Sequence, residues 1–211
     1  MWLITAGPTR EHLDDVRFFS NASSGRMGFA LASAAAQRGR DVTVVSGPVD
    51  LPDPDGIEVL RVVSGQEMLD ACRLLLEERP VEVVIAAAAV CDHRPRQRAD
   101  GKPAKGEGVR TLELVENPDV IASLAALGVA RTHVGFALES LKDRAAALQR
   151  ARSKLTRKGL DAIVLNGIEA MESSRSHAMW ITASGEPVDL GDLDKPALAA
   201  ALVERVSALQ S

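Results

Sequence analysis

The sequence has no tyrosine among its 211 residues, and aromatic residues make up only 3% of it. A short-chain dehydrogenase moves a proton with a Tyr-x-x-x-Lys pair, so that chemistry is excluded. The two cysteines, Cys72 and Cys91, give no disulfide framework and no metal-ligand spacing. The four histidines are scattered among different motifs and predict no metal cluster. This sparing use of cysteine is typical of a cytoplasmic protein.

Long apolar runs are also missing. No stretch approaches the ~18 residues that a membrane span needs, and no basic segment followed by an apolar core opens the chain. The net charge is -4, so the surface as a whole does not attract a polyanion. We therefore expect a cytoplasmic protein that binds neither membrane nor nucleic acid, and any anion site must be built locally.

Short apolar runs alternate with amphipathic segments along most of the chain. Strands are predicted over residues 2–6, 41–46, 57–62, 81–89, 132–137 and 161–166, and helices over 28–39, 65–79, 117–127 and 142–158. This alternation predicts one α/β domain over residues 1–211, with a Rossmann-like, doubly wound, mostly parallel sheet. Gly39 and Gly159 are placed as C-cap glycines, and Asn117 followed by Pro118 is placed as an N-cap.

Two segments depart from the alternation. Residues 92–110 are rich in glycine, proline, lysine and arginine, which predicts a polar, protruding flap that leads into a strand over residues 111–116. After Asn166 the chain becomes irregular, and the pattern then predicts a hairpin followed by a closing helix from Lys195 to Leu209.

The loop after the first strand is placed where open α/β sheets bind ligands. Gly7 permits close backbone approach, and Ser23, Gly25 and Gly28 precede or open a helix whose free amides favour a phosphate. Ser-Ser-Gly before a helix also suits ordinary capping. The Asn21 amide can hydrogen-bond to a carbonyl oxygen that gains charge, or the residue can simply occupy a left-handed loop position. The Arg17 guanidinium can bind a phosphate or be solvated.

Five motifs occur in order: ITAGPTREHLDDVRFFSNASSGRMGFALA, AAAAVCDHRP, ENPDVI, VGFALE and KLTRKGLDAIVLN. From Trp2 to Asn166 the chain thereby resembles phosphopantothenoylcysteine synthetase. The resemblance implies a homodimeric ligase in which CTP, or ATP, with Mg²⁺ activates the carboxylate of 4'-phosphopantothenate, and L-cysteine then displaces the nucleotide. Bacterial members use CTP and are often fused to a flavin-dependent decarboxylase. Here we expect ligation only, no flavin, and a separate decarboxylase as a partner.

The resemblance also implies site residues. Asn21 and Lys102 are the expected catalytic residues. The expected nucleotide contacts are Gly7, Ser23, Gly25, Gly28, Ala86, Ala87, Ala88, Asp92, Lys102, Pro118, Asp119, Val120, Ile121, Phe136, Lys154 and Lys158. The expected substrate contacts are Arg17 from the neighbouring subunit, Asn21, Ala88, Ala89, Asp92 and Lys105.

Three departures from the family pattern stand out. The flap reads KPAK from Lys102 to Lys105 where bacterial members have Lys-Ile-Lys-Lys, so the choice between Lys102 and Lys105 as the phosphate ligand stays open. Arg26 replaces a frequent lysine, and Cys91, which replaces a small residue, is read as packed and unreactive.

Two other functions compete with the ligase. The first is a Rossmann-type NAD(P)-binding reductase, favoured only by Asp41 and opposed by the missing Gly-x-Gly-x-x-Gly. The second is a binding subunit without activity, which the retention of Asn21, Asp92 and Lys102 opposes.

Overall fold

A computed structural model describes residues 1–106, 108–171 and 173–210. Its strands are β1 (Trp2–Ala6), β2 (Arg10–His12), β3 (Phe18–Ser20), β4 (Val42–Ser46), β5 (Glu58–Arg61), β6 (Val83–Ala86), β7 (His93–Pro95), β8 (Leu114–Glu116), β9 (Thr132–Glu139), β10 (Ala162–Gly167), β11 (Arg175–Thr182) and β12 (Val188–Asp194). Its α-helices are α1 (Arg26–Gln37), α2 (Gly65–Glu78), α3 (Val120–Leu127), α4 (Arg144–Lys158) and α5 (Lys195–Ala208). A short 3₁₀ helix covers Ile168–Ala170.

One sheet of eight strands organises the molecule, in the order β12-β11-β10-β9-β6-β1-β4-β5. The six strands from β10 to β5 are parallel, and β11 and β12 add an antiparallel hairpin at one edge. After β5 the chain returns to the other side of β1 and continues outward from there. The predicted Rossmann-like sheet is confirmed, and its strand order changes direction between β1 and β6.

Both faces of the sheet are covered, which explains why the strands read as continuous apolar runs. Alternate residues of β1 point to opposite sides, so Trp2 and Ile4 enter one core while Leu3 enters the other. The first core is covered by α1 and α5, and the second by α2, α3 and α4. None of the described helices combines the length and hydrophobicity needed to cross a membrane.

The predicted helix ends are confirmed in two cases and wrong in one. Gly159 caps α4 with φ of 65°, and Gly39, with φ of 75°, follows the C-cap of α1. The N-cap of α3 is Asp119, whose carboxylate accepts from the Ala122 amide at 3.2 Å, and not Asn117. The Asn117 side chain is engaged elsewhere, since its Oδ1 accepts from Arg94 at 3.0 Å and its Nδ2 donates to the Cys91 carbonyl at 2.8 Å.

Two small antiparallel ribbons lie at the carboxyl ends of the central strands. The hairpin β2–β3 follows β1, and the ribbon β7–β8 follows β6 and carries the flap. The predicted strand over residues 111–116 is shorter, because only Leu114–Glu116 pairs. The predicted C-terminal hairpin and closing helix are confirmed as β11, β12 and α5.

Candidate functional site

The carboxyl ends of β1 and β6 are joined by main-chain hydrogen bonds that continue past the strands. The Ala89 amide donates to the Gly7 carbonyl at 2.8 Å, and the Ala87 amide donates to the Thr5 carbonyl at 3.2 Å. Pro8 and Ala89 then form an isolated parallel bridge. Because the strand order changes direction here, these residues form the floor of the crevice in which an open α/β sheet binds ligands.

Glycines shape the loop above this floor in two different ways. Gly7 and Gly25 have φ of 75°, and a Cβ on them would lie 2.9 and 2.7 Å from Val49 Cγ1. Gly28 is buried inside α1, where a Cβ would lie 2.5 Å from the Cβ of Ala6. Gly28 therefore lets α1 pack closely on β1, and its contact with a nucleotide stays a prediction.

The start of α1 supplies hydrogen-bond donors to the same crevice. Gly25 is the N-cap and, within the described residues, no side chain caps the first amides of the helix. The Ser23 hydroxyl accepts from the Gly25 amide at a long 3.4 Å. Uncapped amides and the positive end of the helix dipole together favour an anion in front of Arg26.

The side chain of Asn21 connects the loop after β3 with the segment after β6. Its Nδ2 donates to the carbonyls of Ala89 and Val90, at 3.1 and 3.0 Å. Carbonyl oxygens only accept, so these bonds fix which way the amide faces. Both amide hydrogens are thereby engaged, and Oδ1 is the atom left for a ligand. Donation from Nδ2 to a ligand carbonyl requires the loop to release one of these bonds.

Arg17 lies in the turn of the β2–β3 hairpin and is paired with Asp14. Its Nε donates to Asp14 Oδ2 at 2.7 Å, while the amides of Val16 and Arg17 donate to Oδ1 at 2.8 Å. The side-chain and main-chain hydrogen bonds from Arg17 lower the pKa of Asp14 from 3.8 to about 2. The Asp14 side chain is 2% exposed and that of Arg17 is 46% exposed. The guanidinium thus keeps an outward side for an anion.

The flap is attached to this hairpin. The Ala99 amide donates to the Leu13 carbonyl at 2.9 Å, and Gly101 and Asp15 exchange hydrogen bonds of 2.9 and 3.1 Å. Arg98 also pairs with Asp15 at 2.9 Å. The next residue with a charged side chain is Lys102, which is exposed, as is Lys105.

The root of the flap is fixed by main-chain and side-chain hydrogen bonds to Asn117. The carbonyl of Asp92, which is exposed, accepts from the Asn117 amide at 2.8 Å, and Arg94 donates to Asn117 Oδ1 at 3.0 Å. Cys91 is 7% exposed, and burial raises the pKa of its thiol. The prediction that Cys91 is a packed, unreactive residue agrees with this placement.

The two lysines of α4 project toward the ends of neighbouring elements and are paired with carboxylates. Lys154 contacts Glu139 at the end of β9 at 2.8 Å, and Glu139 also accepts from Arg150 at 2.7 Å. Lys158 contacts Asp119 at the start of α3, again at 2.8 Å. Burial raises the pKa of Glu139, but the hydrogen bonds from Lys154 and Arg150 lower it more. A nucleotide that binds both lysines must compete with these carboxylates.

Other predicted contacts divide between the two faces of the sheet. Val120 and Ile121 are 5% and 7% exposed and belong to the core under α2, α3 and α4, so their contact with a nucleotide stays a prediction. Phe136 packs against the opposite core, under α1 and α5. Ala86 and Ala88 contact the core under α2, α3 and α4, and Ala87 contacts the core under α1 and α5. Phe136 therefore packs on the face of the sheet opposite α4, and its contact with a nucleotide stays a prediction.

A small, partly open cavity of about 40 Å³ lies where α1 and α5 begin. It is lined by residues from four segments, namely Ser23, Ser24, Gly25, Arg26, Met27, Ala87, Ala170, Met171 and Lys195. Lys195 is half-buried, and its Nζ donates to the Ala170 carbonyl at 3.1 Å. Burial first, and then the charge of Arg26, lower the pKa of this lysine.

The chain is similar to a defined protein family over nearly its whole length. The family model described as "DNA/pantothenate metabolism flavoprotein C-terminal domain" matches residues 1–209. The chain belongs to this family.

Individual members of the family show the same relationship. The coenzyme A biosynthesis bifunctional protein CoaBC of Vibrio cholerae is 51% identical over 169 residues, which cover 79% of this chain and 41% of that protein. The protein of that name from Mycobacterium bovis is 40% identical over 219 residues, which cover 97% of this chain and 51% of that protein. The chain thus spans about half the length of the curated relatives it matches.

A solved structure agrees with this assignment. The crystal structure of the C-terminal domain of the coenzyme A biosynthesis bifunctional protein CoaBC has a TM-score of 0.82 and 32% identity, and the match covers 99% of this chain and 94% of that chain. Membership of the family also weakens the reductase hypothesis. Asp41, its one supporting feature, immediately precedes β4 and therefore lies at the amino edge of the sheet, opposite the crevice.

Family motifs did not lead to Lys195, because the resemblance ends at Asn166. The position of Lys195 follows from the strand pairing at the edge of the sheet. Since β11 and β12 form consecutive antiparallel pairs, β12 runs parallel to β10 and ends at the carboxyl edge of the sheet. A residue that directly follows β12 therefore lies at the same edge as the start of α1.

Proposed function

We propose that this domain joins 4'-phosphopantothenate to L-cysteine with the help of CTP. The substrate carboxylate attacks the α-phosphorus of CTP and releases pyrophosphate, which leaves an acyl-cytidylate. The amine of L-cysteine then attacks the acyl carbon, CMP leaves, and an amide remains. ATP in place of CTP is an alternative that the relatives' names leave open, and we favour CTP because the segment 154–161 resembles the bacterial members.

One observation carries the proposal. Asn21, the alanine-rich loop after β6 and the uncapped start of α1 meet at the point where the strand order changes direction. These are segments of the first two family motifs, distant in sequence and joined by hydrogen bonds. An acyl group held at Asn21 lies beside the donors that would hold the nucleotide phosphates.

Charge supports the same chemistry. A triphosphate and a phosphorylated carboxylate repel one another, and the protein as a whole carries a net charge of -4. Local cations must therefore offset the repulsion. Lys154 pairs with Glu139 at the end of β9, Lys158 pairs with Asp119 at the start of α3, and Lys102 and Lys105 follow the point where the flap is attached. Closure of the flap over the ligands would also keep water from the reactive acyl-cytidylate.

We further propose that the enzyme works as a homodimer in which Arg17 reaches the substrate phosphate of the neighbouring subunit. The outward side of its guanidinium supports this role, since five donors exceed what Asp14 occupies. L-cysteine supplies the only thiol the reaction needs, which agrees with the burial of Cys72 and Cys91. Burial raises the pKa of Cys72 to about 12.

Magnesium fits this site as a companion of the nucleotide. Among the described residues, no group of three or more histidine, cysteine, aspartate or glutamate side chains is arranged to hold a metal ion. Mg²⁺ keeps several waters and binds substrate phosphates readily, so it needs few protein ligands. When bound, it would neutralise phosphate charge. A flavin-dependent decarboxylase is proposed as a separate partner in the cytoplasm, and no flavin is assigned to this chain.

The direct test is a reaction with L-cysteine, 4'-phosphopantothenate, Mg²⁺ and each of the four ribonucleoside triphosphates in turn. We expect CMP and pyrophosphate from CTP, formed only when both other substrates are present, and loss of activity with a chelator. Release of nucleoside monophosphate from none of the four, together with binding of NADPH, would overturn the proposal in favour of the reductase.

A further inference from the structure

The small cavity between α1 and α5 is lined by cations from two separate elements. Arg26 is the first residue of α1, and Lys195 is the first residue of α5. Within the described residues, neither side chain forms an ion pair with a carboxylate. Other cations of the crevice, such as Lys154 and Lys158, do have such partners. Among the described residues, Arg26 and Lys195 therefore lie together at the cavity without a carboxylate as counter-charge.

Holding Lys195 in this position is electrostatically unfavourable without an anion. The side chain is half-buried, which costs hydration of the ammonium group, and the nearby Arg26 adds repulsion. Its one described hydrogen bond goes to the neutral carbonyl of Ala170. An anion in the cavity would relieve both costs, since it would be attracted by two cations at once.

The lining of the cavity matches a phosphate group in chemistry and in size. The Ser23 and Ser24 segment and the uncapped amides of α1 supply further donors. A volume of about 40 Å³ holds roughly three solvent-sized spheres, because one water needs about 10–15 Å³. That room is enough for one phosphoryl group at the inner end of a longer ligand.

We propose that Lys195, acting with Arg26, binds a terminal phosphate of the nucleoside triphosphate and so orients pyrophosphate as the leaving group. The inference rests on the proposed function, which it deepens by adding a phosphate-positioning residue from the C-terminal helix. Lys195 thereby gives the last helix of the domain a direct part in the site. Its contribution is confined to the β- and γ-phosphates, so that nucleoside monophosphates do not use it.

The test compares Lys195→Gln with the wild type in calorimetric titrations with CTP, CMP and inorganic pyrophosphate, each with Mg²⁺. We expect Lys195→Gln to weaken CTP and pyrophosphate by about tenfold or more, as for loss of a charge-assisted hydrogen bond, and to leave CMP unchanged. Lys195→Arg should restore part of the CTP affinity. Arg205→Gln is the matched control, since it removes one positive charge near the other end of α5 and should change none of the three affinities.

The outcomes separate the two proposals. Equal affinities of wild type and Lys195→Gln for CTP and pyrophosphate would overturn the role of Lys195, whatever the wild type catalyses. An equal loss for CTP and CMP would also contradict it, because that pattern indicates a distorted site. Failure of the wild type to form the amide with any triphosphate would refute the ligase, whereas a selective loss of pyrophosphate binding in the variant would still support the anion site.

Discussion

Gly28 shows how a residue chosen as a ligand contact can serve packing first. An alanine Cβ at this position would lie 2.5 Å from Ala6 Cβ and 3.1 Å from the Thr5 carbonyl oxygen. Both neighbours belong to β1, so the helix itself would have to move away from the strand. Because α1 also presents its first amides to the crevice, such a movement would disturb the anion site as well as the core.

We expect Gly28→Ala to lower the free energy of unfolding by about 1–3 kcal/mol, as overpacking does, despite the better helix propensity of alanine. Chemical denaturation of the purified variant measures this. Adding Ala6→Gly removes the closest clash, and the double variant should recover part of the loss. Unchanged stability in Gly28→Ala would contradict the packing role.

Asp14 gives the first hairpin a specific pH dependence. Its pKa lies at about 2 in the folded protein and at 3.8 ordinarily, so folding favours the charged form. The stabilisation is therefore complete above the unfolded value and is lost as the pH falls from about 4 toward about 2. Urea unfolding at several pH values should show this loss of stability in the wild type and a smaller one in Asp14→Asn. If the free energy of unfolding changed with pH equally in both proteins, the contribution of Asp14 would be excluded.

At the scale of elements, α4 delivers two lysines that are already paired. We expect Glu139→Gln to make CTP bind about two- to fivefold more tightly, because Lys154 no longer has to leave a carboxylate. Calorimetric titration measures the change, with Asp192→Asn as a control that breaks the Arg175 pair on β12 instead. Weaker CTP binding in Glu139→Gln would show that Glu139 positions Lys154 for the ligand.

The parallel strands and their helices could be predicted from local patterns, and the junctions could not. β1 begins and ends where its apolar run predicts, because burial on both faces marks a strand clearly. The N-cap of α3 was misassigned because the Asn117 side chain is engaged by Arg94 and Cys91, which are remote in sequence. The flap is attached through Asp15 and Arg98, which are likewise distant in sequence, so no local pattern predicts this contact.

For the site, too, the segments could be predicted from the sequence, but the contacts between them could not. Family motifs identified the loops that meet at the crevice, but they gave no indication that both amide hydrogens of Asn21 are engaged by Ala89 and Val90. They also assigned Phe136 and the α4 lysines to one nucleotide site, which stays a prediction, although Phe136 packs on the face of the sheet opposite α4. Lys195 was missed because its position depends on the direction of β12, a property of strand pairing.

At the scale of the whole molecule, the proposed contribution of Arg17 to a neighbouring subunit makes a quantitative prediction. Arg17→Ala and Asn21→Asp should each abolish most ligation. If the two residues of one site come from different chains, a mixed dimer of the two variants has one doubly defective site and one intact site. A mixed dimer should then show about half of the wild-type activity per dimer.

Coexpression of the two variants with different affinity tags, followed by purification through both tags, provides the sample. Recovery of activity in the mixed dimers supports the shared site. Inactive mixed dimers would place Arg17 and Asn21 in the same chain's site, and a monomer in solution would exclude the arrangement altogether.

The central claim is that a carboxylate is activated by a nucleotide at the crevice between β1 and β6. Release of pyrophosphate without L-cysteine measures that step most directly, in wild type and in Asn21→Asp, with 4'-phosphopantothenate, CTP and Mg²⁺. For the wild type we predict a burst of pyrophosphate and an acyl-cytidylate visible by mass spectrometry. For Asn21→Asp we predict neither, although this variant should still bind CTP. Pyrophosphate release by Asn21→Asp at the wild-type level would contradict the account.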